Sequence, residues 1–148
     1  MTKFVTPTRY DQALADQGIS IAVDENGTYY GTFDVKCYDP YSPFFKVAKE
    51  RYNRNQKAEI KLLKDEQEKA IHQFVHIAMT GWKDIKSEDG DVPFTKDDAF
   101  QFLTQTDIGL FVFGELFAQA TDTKNFKAVD DEDGEVDPVV DAQSTKKN

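Results

Sequence analysis

Two histidines one helical turn apart are the residues whose spacing comes nearest to a catalytic motif. His72-Gln73-Phe74-Val75-His76 has the histidine spacing of the zinc-protease motif, in which two imidazoles bind the metal from one helix face. Gln73 stands where that motif has a general-base glutamate, and a carboxamide cannot accept a proton from zinc-bound water. We therefore interpret both side chains as helix-surface histidines that flank Phe74 and Val75, and we expect no metal site.

Two acidic turns resemble calcium-binding loops but lack the first ligand. With the glycine of Ser87-Glu88-Asp89-Gly90 at the sixth loop position, the first position would be Ile85, which has no side-chain oxygen. The turn that ends at Gly134 fails in the same way, because its first position would be Val129. We interpret both segments as acidic turns.

No other motif in the sequence supports catalysis. Cys37 has no nearby histidine or basic cluster and is interpreted as a small core residue. The sequence contains no glycine-rich phosphate loop, nucleophile elbow or CxxC pair. We therefore expect a protein that is not an enzyme, with no catalytic residues and no cofactor.

Length and charge limit the classes of function. The chain has 148 residues, a net charge of −9 and a single cysteine. The length predicts one domain, and the charge argues against nucleic acid as a partner. One cysteine excludes an internal disulfide and fits a reducing cytosol. No signal peptide or membrane span is evident, so we expect no membrane association and a location in the cytoplasm.

Hydrophobic patterning predicts an α+β, mainly α, fold. Asn26-Gly27 separates two alternating runs and predicts an N-terminal β-hairpin over about 19–38. About four helices follow, over about 43–54, 57–80, 95–104 and 107–121. Residues 1–126 are predicted to form a single globular domain, and 127–148 a disordered acidic tail.

The stretch from residue 81 to residue 95 is predicted to be a structural joint between the long helices and the last two. Gly81 is interpreted as a helix stop with positive φ. Trp82 and Phe94 bracket an acidic turn, and Pro93 precedes the helix start at Thr95. These residues are interpreted as anchors of a hinge rather than as a site.

The last predicted helix carries an almost continuous apolar run. Leu110, Phe111, Phe113 and Phe117 lie on several sides of it. A helix that is apolar nearly all round is either fully buried or has a partner. We interpret these four residues as a candidate surface for self-association or for binding a client protein, with burial in the core as the alternative.

The order of these parts resembles the tail assembly chaperones of long-tailed, siphovirus-like bacteriophages. The resemblance covers roughly residues 19–126 and is strongest from Trp82 to Phe126. It rests on Pro43-Phe44, Gly81-Trp82, Ile85, Glu88-Asp89-Gly90, Val92-Pro93-Phe94-Thr95, Ala99, Leu103, Ala120, Asp122, Asn125 and Phe126.

The resemblance implies a binding function in tail morphogenesis. Such chaperones coat the apolar, helix-forming tape measure protein in the host cytoplasm and keep it soluble. They help to recruit tail-tube protein and leave before the virion is mature, and the chain could form a homo-oligomer. The alternative is a structural virion protein, a tail-completion or connector subunit. A DNA mimic would need a helix face dense in carboxylates, but the central helices are rich in lysine and arginine.

Overall fold

A three-stranded antiparallel sheet packed against helices makes up most of residues 2–128, the part of the chain that this computed structural model describes. The elements in chain order are α1 (Gln12–Gln17), β1 (Ile19–Glu25), β2 (Thr28–Val35), α2 (Pro43–Asn55), α3 (Lys57–Ile60), α4 (Glu66–Ala78), β3 (Met79–Lys83), β4 (Lys86–Ser87), β5 (Gly90–Asp91), α5 (Lys96–Gln105), α6 (Gly109–Thr121) and a 3₁₀ turn (Thr123–Phe126). The predicted α+β class is confirmed; α1 is a further short helix, and the helix predicted over 57–80 is divided into α3 and α4.

The predicted hairpin is formed by β1 and β2. Asn26 and Gly27 between the strands have φ angles of 53° and 86°, and two successive residues at positive φ match the twist of a two-residue hairpin. Phe33 and Val35 on β2 are completely buried, so alternation places one face of the hairpin in the core. The same alternation predicts burial of Tyr29, but this residue is 48% exposed because it lies beside the turn.

The predicted helix over 57–80 is wrong in two places. The Asp65 side chain accepts a hydrogen bond from the backbone N–H of Glu68 at 2.9 Å, and this N-cap starts α4 separately from α3. The helix then ends at Ala78, because the chain becomes extended at Met79 and pairs with β2 as a third strand. Apolar spacing identified the buried face of α4 but could not locate its ends.

The predicted joint is partly strand and is not simply a link between helices. Gly81 does not end a helix at positive φ; it lies in β3 opposite Asp34. A Cβ at this position would come within 2.9 Å of Asp34 Oδ2, so the glycine allows a close approach. Beyond β3, β4 and β5 form a small hairpin with Glu88 and Asp89 at its tip.

Trp82 and Phe94 contact each other edge to face, with ring centroids 5.3 Å apart. Trp82 Nε1 also donates a hydrogen bond to the carbonyl oxygen of Val92 at 2.8 Å, and its ring packs against Phe102 of α5. Pro93 is exposed. The tryptophan therefore connects the edge of the sheet to both the β4–β5 hairpin and α5.

The core lies between the sheet and helices α4, α5 and α6. Thr95 accepts a hydrogen bond from the backbone N–H of Asp98 at 3.0 Å, which caps α5 near its predicted start. The largest fully buried side chains are Phe33, Phe74, Phe126, Ile71, Met79, Leu103 and Leu116. None of the helices described here is long and apolar enough to cross a membrane. The predicted acidic tail lies outside the described residues, apart from Lys127 and Ala128.

Candidate functional site

Helix α6 presents a buried face, two half-buried flanks and an exposed face. Gly109, Val112, Leu116 and Ala120 are buried, and they follow the spacing of a core-facing helix. The four residues expected to form a binding surface are divided between the other faces. Leu110 and Phe117 are 51% and 40% exposed, whereas Phe111 and Phe113 are half-buried.

The two half-buried phenylalanines are held by aromatic contacts with other elements. The Phe111 ring contacts Tyr30 of β2 edge to face, with centroids 6.0 Å apart. The Phe113 ring contacts Phe74 of α4 at 5.4 Å and Phe117 one turn further on at 5.7 Å. Phe113 is therefore packed mainly against other side chains, and the exposed apolar area of α6 belongs mainly to Leu110 and Phe117.

The exposed side of α6 forms an apolar stripe, which we call the α6 stripe and define as Leu110, Gly114, Phe117 and Ala118. Their spacing places them along one side of the helix over two turns. Glu115 is the only charged residue in α6, so this helix places almost no charge beside the stripe. Such a row of anchors is the pattern with which one helix binds another.

Gly114 is the member of the stripe that sequence reasoning missed. A glycine inside a helix destabilises it by about 0.5–1 kcal/mol relative to alanine. Gly109 in the same helix has a packing reason, because an added Cβ would lie 2.3 Å from the carbonyl oxygen of Leu103. At Gly114 nothing lies within 4 Å of an added Cβ. The fold described here therefore gives no packing reason for this glycine, although it would let a partner helix approach closely.

Helix α2 also exposes apolar side chains that the sequence placed on its buried side. The apolar series of this helix predicted burial of Phe44, Val47 and Tyr52. Tyr52 is buried, but Phe44 and Val47 are 63% and 53% exposed. Phe45 replaces them in the contact with the core, with its ring 5.1 Å from that of Tyr38. The helix is therefore rotated relative to the prediction.

The two histidines of α4 are not both on the surface, which corrects the interpretation from sequence. His72 is 2% exposed, and its Nδ1 lies 2.6 Å from the Tyr52 hydroxyl. Its Nε2 lies 3.0 Å from Glu59 Oε1 of α3. His76 is half-buried, and burial and the neighbouring His72 lower its pKa. Sequence reasoning missed Glu59 and Tyr52 because both come from the preceding helical segments.

A family comparison places the chain among prophage proteins. No curated protein and no solved structure matches it. The family described as "YdaY prophage protein" matches residues 38–135, about two thirds of the chain, from just after β2 to beyond α6. The chain therefore belongs to the YdaY prophage protein family.

Proposed function

We propose that this prophage protein is a tail assembly chaperone that binds tape measure protein along the α6 stripe. It acts in the host cytoplasm, keeps the tape measure soluble, helps to recruit tail-tube protein and is absent from the mature virion. The proposal is for a binding protein rather than an enzyme. It rests on the resemblance to tail assembly chaperones and on membership of a prophage family.

The exposed stripe with Gly114 at its centre is the observation that carries the proposal. Leu110 and Phe117 flank a position at which only hydrogen projects from the helix. A client helix can therefore pack its backbone close to α6 while its apolar side chains contact both residues. A tape measure protein is expected to offer long apolar helices of this kind.

The size of the stripe favours a reversible complex. Four exposed positions on one helix are fewer than the roughly 20–30 residues per partner of a stable interface. One chaperone chain would therefore bind a client segment weakly, and several chains along one client would supply the total affinity. Weak individual contacts allow release when tail-tube subunits polymerise around the client. The net charge of −9 keeps such a complex soluble.

The test is co-expression with the tape measure gene of the same prophage, followed by pull-down. Leu110→Asp places a charge on the stripe at a position that is 51% exposed, so the variant should fold and lose the client. Leu62→Asp is the matched control, because Leu62 is 81% exposed and lies outside α6. Equal client recovery by both variants would contradict the proposal.

The alternative structural virion protein is distinguished by particle composition. A chaperone of this kind should be absent from purified particles after the lysogen is induced. Detection of the chain by mass spectrometry at a copy number comparable to that of tail proteins would favour a tail-completion or connector subunit instead.

A further inference from the structure

We propose that Glu59, His72 and His76 form a binding site for a divalent transition-metal ion, with Zn²⁺ as the best fit. Each of the three side chains offers one ligand atom, and these three atoms all lie within 4.8 Å of one another. Two imidazoles and one carboxylate are a common set of three protein ligands for zinc. The site is separate from the α6 stripe and does not depend on the proposed client.

The backbone brings the three ligands together from two elements. His72 and His76 lie on successive turns of α4, and their ring centroids are 4.4 Å apart. Glu59 comes from α3, which approaches α4 because the chain turns between residues 61 and 65. A metal ion bound here would cross-link the two helices across the break that the sequence did not predict.

Tyr52 is placed to orient His72 for metal binding. Its hydroxyl lies 2.6 Å from Nδ1, so Nδ1–H can donate to the Tyr52 oxygen and leave the Nε2 lone pair directed toward Glu59. Metal-binding histidines usually have such a hydrogen bond to the second ring nitrogen, which fixes tautomer and orientation. Tyr52 is therefore a positioning residue and not a ligand.

His76 supplies the second observation. Within residues 2–128, its Nε2 is a buried ring nitrogen with no hydrogen-bond partner. A buried polar atom without a partner is costly, and such atoms are uncommon in folded proteins. A histidine of this kind, one turn from an oriented histidine, is available to bind an ion.

Two cavities give the cluster access to solvent and to a fourth ligand. Glu59 and His72 line a cavity of about 380 Å³ together with Asp97 of α5. His76 and Tyr52 line a second cavity of about 250 Å³. Water that enters through these cavities can therefore complete a four-coordinate site.

Several cations near the cluster oppose metal binding: Lys64 lines the first cavity, Lys36 and Arg51 line the second, and Lys96 acts on His76. The Lys96 ammonium lies close enough to act on His76 electrostatically, as do the carboxylates of Glu59 and Asp97. Lys96 is held by hydrogen bonds to the carbonyl oxygens of Val75, His76 and Met79. The two carboxylates provide the opposing negative charge, and one of them is a proposed ligand.

The experiment is titration of the untagged, chelator-treated full-length protein with Zn²⁺, followed by calorimetry and thermal unfolding. We expect one tight ion per chain. At a free Zn²⁺ concentration about 100-fold above Kd, Tm should rise by roughly 5–10 °C. Co²⁺ in place of Zn²⁺ should give the intense visible absorption of a four-coordinate site. No rise in Tm with excess Zn²⁺ would overturn the proposal.

Variants separate this site from binding elsewhere on the acidic chain. Glu59→Gln removes a ligand whose side chain is 53% exposed, so it should fold normally and lose the tight site. Glu66→Gln, with a side chain that is 91% exposed, makes the same change of charge on α4 and should keep it. Tyr52→Phe should weaken binding by about 10-fold or more. Equal affinity of the wild type and Glu59→Gln would show that the ion binds elsewhere, and the cluster would then be only a polar network.

Discussion

Replacing Gly114 with alanine should stabilise the free protein and weaken its binding to a client. The free energy of unfolding should increase because position 114 lies inside a helix, where alanine is favoured over glycine by about 0.5–1 kcal/mol. No atom within 4 Å of the added Cβ opposes this gain. For a domain of this size the gain should raise Tm by roughly 1–4 °C.

Gly109→Ala is the matched comparison in the same helix. Its Cβ would lie 2.3 Å from the Leu103 carbonyl oxygen, so backbone must move to accommodate the methyl group. We expect a loss of about 1–3 kcal/mol, which is typical of overpacking. The two substitutions add the same atoms to α6 and should therefore have opposite signs.

Urea unfolding, monitored by circular dichroism, measures both free-energy changes. Client recovery in pull-down should fall for Gly114→Ala and fall further for Gly114→Leu, since the larger side chain holds a partner helix away. A loss of stability in Gly114→Ala would show that the glycine has a structural role in the free protein. Unchanged client recovery with both variants would show that no helix approaches this position.

Further predictions concern three single side chains. Burial and the charge of Asp39 raise the pKa of Cys37 to about 11 from 9.0, so at pH 8 the folded protein should react with a disulfide reagent roughly 100-fold more slowly than the urea-unfolded chain. This folded-state pKa lies above the unfolded one, so the contribution of the thiol to stability should be full below pH 9 and lost as pH rises toward 11. Urea unfolding across that pH range should show this loss for the wild type, and the Cys37→Ala variant should lack it. Lys96→Met should destabilise the protein by about 1–3 kcal/mol in urea unfolding, because three carbonyl oxygens near the end of α4 lose their hydrogen-bond donor. An unchanged midpoint of the urea transition would show that water replaces the ammonium group as donor. Trp82→Phe should lower the free energy of unfolding by about 1–3 kcal/mol, because the Val92 carbonyl loses its hydrogen bond. A smaller loss than that caused by Phe94→Leu would show that packing of the two rings, rather than the hydrogen bond, stabilises this region.

Local signals in the sequence were sufficient where one short pattern determines the structure. Asn26-Gly27 determines the hairpin turn, Ser42-Pro43 starts α2, and Thr95 caps α5. In each case a side chain or a φ preference acts within four residues. Such patterns can be interpreted without knowledge of the rest of the fold.

Features that depend on distant parts of the chain were not predictable in the same way. Met79 and Thr80 are predicted to end a helix, but Met79–Lys83 is a strand because the exposed edge of β2 is available to pair with it. The partial burial of Cys37 follows from how β2 leaves the sheet, where the sequence alone predicted a core position. The same holds for the cluster around His72, whose partner Glu59 lies 13 residues earlier.

The candidate surface was only partly identified from sequence. An apolar helix indicated that some residues would be unburied, but it could not show which ones. Leu110 and Phe117 are exposed, whereas Phe111 and Phe113 are held against Tyr30 and Phe74. That division depends on the angle at which α6 packs on the sheet and on α4, which three-dimensional contacts determine.

The most direct test of the central claim is site-specific photo-crosslinking in cells that express both proteins. A photoreactive phenylalanine analogue in place of Phe117, which is 40% exposed in the α6 stripe, should crosslink to the tape measure protein. The same amino acid at position 88, at the tip of the β4–β5 hairpin, should not. Crosslinks from position 117 only to a second copy of the chain, or equal crosslinking from both positions, would contradict the assignment of the α6 stripe as the client-binding surface.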